Sequence, residues 1–176
     1  MIASPSNLYG MTTPLIILTL LILPWIFALC GQSMLHRDRR FAQSGAIVGV
    51  TAVFVFTGIG HFIKTMPMSE MIPSFVPMRI AIVYCTGVLE VVLAVAVLFP
   101  SARKKSGVAL VLLLVAFLPI NIFAAFQRVE MGGHSWGPVY LLIRVPLQVI
   151  LVAWTWHFVV RGDKESCTVA SADPAN

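Results

Sequence analysis

The chain has 176 residues, 59% of them hydrophobic and only 11% charged, which excludes an ordinary soluble globule, where about 25% of residues are charged. Twelve Lys and Arg against seven Asp and Glu give a formal charge of +5, but the cations sit in short clusters between apolar runs. They build no extended basic face with interleaved aromatics, so the expected partner is the lipid bilayer and not nucleic acid.

A helix crosses the hydrocarbon with about 20 mostly apolar residues, because every backbone N–H and C=O must bond internally there. Five segments meet that requirement and predict an all-α polytopic membrane helix bundle. The first, 12–30, is preceded by no Lys or Arg, and Phe27, Ala28 and Leu29 before Cys30 make a poor cleavage site and a poor lipoprotein box. It is therefore read as a span and not as a signal peptide. The second, 45–63, opens with Gly45 and Gly49, a GxxxG step that favours close helix packing, and closes on His61. A Pro-punctuated connection over 64–77 follows, expected to lie along the interface as a lid. Its Met66, Met68 and Met71, with His61, could offer soft ligands to copper(I). Thioethers more often fill apolar gaps, and no metal site is expected.

The third span, 79–99, carries Val83, Gly87, Glu90 and Ala94 on one helical face. In the fourth, 108–126, Pro119 predicts a kink near Val115, and Asn121 stands beside it. In the fifth, 139–161, Pro146 predicts a kink near Leu142, and Tyr140, Arg144 and Gln148 share one inward face. Tyr84, Trp136, Trp154 and Trp156 read as interfacial belt residues, and His36 and His157 as inner-surface residues. Cys30, Cys85 and Cys167 are far apart and form no CxxC or Cys/His cluster, so disulfide chemistry and structural zinc are disfavoured.

The cations orient the bundle. Arg37, Arg39 and Arg40, then Arg103, Lys104 and Lys105, then Arg161 and Lys164 fall on one side, and Lys64, Arg79 and Arg128 on the other. By the positive-inside rule the amino terminus is outside and the tail inside, in a bacterial cytoplasmic membrane. Residues 1–44 then form an amino-terminal helix and basic loop, 45–161 the main membrane domain, and 162–176 a disordered cytoplasmic tail.

Glu90 is the leading candidate for chemistry. A rise of about 1.5 Å per residue from Arg79 puts it about 16 Å deep, where an ionised carboxylate must be paired, protonated or wetted. Arg144 is its natural partner, with a stem long enough to reach down to Glu90 or up to the headgroups. His61, Asn121, Arg128, Arg144 and Trp136 are expected to converge at the outer end with Glu90 beneath them, as a funnel.

The motifs Gly58-Ile-Gly-His61-Phe-Ile-Lys64, Thr86-Gly-Val-Leu-Glu90, Phe117-Leu-Pro-Ile-Asn121-Ile-Phe-Ala-Ala and Arg144-Val-Pro-Leu-Gln148 occur in that order around the Pro-rich connection. Together they resemble the DoxX-like family of small membrane proteins, over roughly residues 45–158. The resemblance implies a four-helix core with one added amino-terminal helix, and it implies His61, Glu90, Asn121 and Arg144 as the recurrent polar sites. It also implies an association with quinone-linked redox complexes. On that basis Glu90 and His61 are expected to exchange protons, and Arg144, Asn121, Tyr140 and Gln148 to hold a quinone or similar amphipathic ligand. No haem or iron–sulfur ligand set is visible, so electrons would come from a redox partner protein; a homo-oligomer is the other expected assembly. The competing readings are a non-catalytic assembly scaffold and a small proton-coupled transporter.

Overall fold

The computed structural model of the protein describes residues 5–34, 40–129 and 133–162. Among them there is no strand. The helices are α1 (Pro5–Met34), α2 (Arg40–Ile63), the short α3 (Thr65–Glu70), α4 (Arg79–Ala96), α5 (Pro100–Phe126) and α6 (Leu141–Trp154). A 3-10 segment, His134–Tyr140, leads into α6, which continues as a π-helical segment, Thr155–Arg161. Five helical stretches are long and apolar enough to cross a membrane. The protein is an all-α, multi-pass helix bundle, as the hydropathy pattern predicts. His36, Arg37, Arg39, Lys164 and the expected disordered tail lie outside the described residues.

The helices outrun the apolar runs that announce them. α2 starts at Arg40 and not at 45, and α5 starts at Pro100 and not at 108, so Arg103, Lys104 and Lys105 stand on a helix and not in a loop. Proline at the first helical turn is pre-set for helix and gives up a donor that has no partner there, while Lys and Arg are good helix formers. Only residues 97–99 separate α4 from α5. The Arg103 guanidinium fastens that hairpin by donating to the carbonyls of Val97 and Leu98, at 3.1 and 3.3 Å. Pro119 and Pro146 lie inside α5 and α6, and neither helix is interrupted by its proline.

Apolar side chains gain nothing by leaving lipid for protein, so the bundle is held by close backbone approach. Gly45 and Gly49 supply it between α1 and α2. A methyl on Gly49 would stand 2.4 Å from the Leu21 carbonyl oxygen, and one on Gly45 would stand 2.6 Å from that of Pro24. Ile17 and Leu21 of α1 consequently share one core with Ile47, Val50, Val53 and Phe54 of α2, Leu110 of α5, Leu147 and Leu151 of α6, and Val159. Outward faces carry exposed Phe27, Leu112, Leu142 and Val149, as lipid requires. Tyr84 and Trp156 are exposed in keeping with a belt position. Trp154 is not: it packs edge-on against Trp25 with ring centroids 5.3 Å apart, and lies 4.9 Å from Phe158.

Candidate functional site: an apolar cavity with a polar pair

Inside the end of the bundle that carries Lys64 lies a cavity of about 740 Å³ walled by α1, α2, α4, α5 and α6. That is the size of a small-molecule site. Most of the wall is apolar, with Ile17, Phe54, Phe117, Leu147 and Leu151, and Pro67, Met68, Met71 and Ile72 of the outer connection complete it. The connection therefore borders the cavity, and its first part, Thr65–Glu70, is helical. His61, Glu90, Asn121, Arg144 and Gln148 all line this one space.

His61 and Glu90 meet because α2 and α4 cross at two glycines. A methyl on Gly87 would stand 2.6 Å from the His61 Cβ and 3.1 Å from the Gly58 carbonyl oxygen, and one on Gly58 would stand 3.3 Å from the Glu90 Cβ. This close crossing sets His61 Nε2 3.7 Å from Glu90 Oε1, with both side chains largely shielded. Arg144 is thus not the partner of Glu90. The crossing puts the imidazole in that place, and Arg144 is held by a different helix.

Each member of the pair also has hydrogen-bonding neighbours of its own. His61 Nδ1 lies 3.1 Å from the Val83 carbonyl oxygen and 3.2 Å from Thr86 Oγ1. The Thr86 hydroxyl is also within reach of the carbonyls of Ile82 and Val83. A carbonyl only accepts, so the Val83 contact is satisfied when Nδ1 carries the ring proton. The other ring nitrogen, Nε2, faces Glu90. On the other side, Thr57 Oγ1 lies 2.8 Å from Glu90 Oε2 and 3.2 Å from the Phe54 carbonyl oxygen. Its single proton serves an ionised Glu90 in one rotamer. Turned to Phe54, the same hydroxyl accepts from a protonated Glu90. Thr57 can therefore bond the Glu90 carboxyl either as donor or as acceptor.

Across the cavity, Arg144 Nη2 donates to Asn121 Oδ1 at 3.5 Å, joining α5 to α6 as interhelical glue. Its guanidinium also lies beside the Tyr140 hydroxyl. Gln148 is buried and donates through Nε2 to the Leu114 carbonyl. Two of the residues expected to converge, Arg128 and Trp136, stand apart, as does Tyr140, which was expected to hold the ligand. Tyr140 is fully buried beneath Gly133 and edge-on to Trp136, away from the cavity wall. Arg128 lies exposed past the end of α5 in the left-handed region, φ 53°. Trp136 belongs to the 3-10 segment and does not line the cavity. Helical periodicity finds residues on a common face, but the register of the face towards a cavity depends on the neighbouring helices.

Sequence reasoning passed over Thr57, Thr86 and the α1 residues Thr12, Thr13 and Ile17 on the wall. Thr57 was within reach, because it lies one helical turn before His61 and shares its face. Among the described residues no group of three or more His, Cys, Asp or Glu is placed to hold a metal.

The class defined by this fold is a helical membrane protein with an apolar cavity and a buried imidazole–carboxylate pair. A family model described as a domain of unknown function (DUF8561) matches residues 50–159, most of the chain, and the protein belongs to that family. The match takes in α2 from Val50 onward, the polar pair and the Asn121–Arg144 contact, and it begins after α1. No curated protein and no solved structure matches the chain.

Proposed function

We propose that the protein is an integral-membrane subunit of a quinone-linked oxidoreductase and takes a quinone or similar amphipathic molecule into its cavity. The observation that carries this reading is the His61–Glu90 pair, 3.7 Å apart in the wall of an apolar space, with His61 Nδ1 against the Val83 carbonyl. Quinone chemistry couples electron transfer to proton transfer at a ring oxygen. A pair of this kind supplies or takes that proton, while Arg144 and Asn121 present donors to the oxygens. The DoxX-like motifs support the same reading, and the electrons would pass to or from a redox partner protein. The cation distribution favours a bacterial cytoplasmic membrane with the cavity end outside.

Organic extraction of the detergent-purified protein followed by mass spectrometry tests the reading. A quinone recovered in stoichiometric amount, and lost from Arg144→Ala, is expected. Glu90→Gln should retain the quinone and lose turnover in membranes holding the native partners. Absence of quinone from the wild type, with redox activity intact in Glu90→Gln, would overturn the proposal.

A scaffold reading is favoured by one observation: several polar groups are spent on interhelical contacts, including Thr51 to the Ala94 carbonyl at 3.2 Å and Gln148 to that of Leu114. Under that reading Glu90→Gln changes partner recovery and leaves quinone reduction unaffected.

A further inference from the structure

We propose that the cavity holds its ligand as an oxyanion, with the negative oxygen set against Arg144. The inference rests on the quinone-type reading above and adds the charge state of the ligand. Among the described residues, the ionisable side chains on the cavity wall are His61, Lys64, Glu90 and Arg144. Two are cations across the physiological range and one is a carboxylate. The wall is therefore net positive for either protonation state of Glu90 and of His61. The wall residues from α1, from the outer connection beyond Lys64, and from α5 add no charge; Tyr140, beside Arg144, is neutral.

The position of that positive charge is specific. Glu90 turns its two oxygens to Thr57 and His61. Arg144, half-buried on α6, has Asn121 and Tyr140 as its neighbours, both uncharged. A guanidinium in an apolar, low-dielectric space gains most from a counter-charge, and its planar fork suits an ionised oxygen better than a neutral carbonyl. A lipophilic weak acid satisfies the site: a quinone ring bearing an enolic or phenolic hydroxyl. On binding, its O–H bond breaks, the electron pair stays on the oxygen facing Arg144, and the proton leaves to the buffer. No electron is exchanged.

The test uses the full-length protein in detergent with three probes: an alkylated hydroxynaphthoquinone, its methyl ether, and the parent naphthoquinone without the hydroxyl. Ionisation of the first is read directly from its visible absorption. Bound to wild-type protein, it is expected to ionise about one to three pH units lower than in empty micelles. At a pH between the two midpoints it should bind at least about tenfold more tightly than the ether. Arg144→Gln should lose both effects, and Arg144→Lys should keep part of the shift. The wild-type comparison of acid with ether stands even where a variant fails to fold. Ionisation at or above the free value, or ether binding as tight as the acid, overturns the oxyanion proposal while leaving quinone-type binding in place. Failure of all three probes to bind overturns both.

Discussion

Gly58 and Gly87 lie opposite each other where α2 crosses α4, so close that a Cβ on either would stand 3.1 Å from the other's carbonyl oxygen. This contact has no chemistry of its own. It fixes the separation of the two helices at the level of His61 and Glu90, and through that the distance between an imidazole nitrogen and a carboxylate oxygen.

Gly87→Ala should therefore disturb the pair as well as the fold. Its methyl meets the His61 Cβ at 2.6 Å, whereas a methyl on Gly60 meets only the flexible end of Met68 at 3.7 Å. Overpacking of this kind costs about 1–3 kcal/mol. Thermal unfolding in detergent should show a clear drop for Gly87→Ala and little change for Gly60→Ala. Equal midpoints for the two variants would mean that the crossing is not held by the glycines.

Thr57→Val removes the hydroxyl beside Glu90 Oε2 and keeps the side-chain shape. A buried acceptor left without its donor costs about 1–3 kcal/mol, so Thr57→Val should be destabilised and Thr57→Ser should not. Denaturation of the two variants side by side measures the difference.

Asn121→Asp places a carboxylate where Arg144 now has a neutral amide. The fold should be retained or strengthened, because the 3.5 Å contact becomes an ion pair. The counter-charge is then internal, so the variant should bind the hydroxynaphthoquinone no better than its ether. A preference for the acid that survives this substitution would place the anion away from Arg144.

Lys64, just past the end of α2, and Lys104, near the start of α5, are both exposed. With Cys30, Cys85 and Cys167 replaced by Ala, Lys64→Cys should react with a membrane-impermeant maleimide on intact cells, and Lys104→Cys only after permeabilisation. The reverse pattern would turn the cavity towards the cytoplasm.

The number of spans, their order and the all-α class were legible in the sequence, because length and apolarity are local properties that the bilayer imposes on each segment separately. The polar residues were legible for the same reason: Glu90, Arg144, Asn121 and His61 stand out wherever they lie along an apolar run. The GxxxG step marked a close helix approach, since small residues four apart do so in any context, and the structure supplies its partner, α1. Which polar residue meets which was not local. Depth and charge argued for Glu90 with Arg144, whereas the Gly58–Gly87 crossing gives Glu90 to His61 and Thr57, and the α5–α6 packing gives Arg144 to Asn121. Tyr140 shares a helical face with Arg144 and Gln148 by periodicity, yet the turn through Gly133 and Trp136 covers it. The sequence by itself determined what must be buried in the membrane. Only the tertiary structure decided the partners, because helix–helix distances and rotations depend on small residues on two chain segments at once.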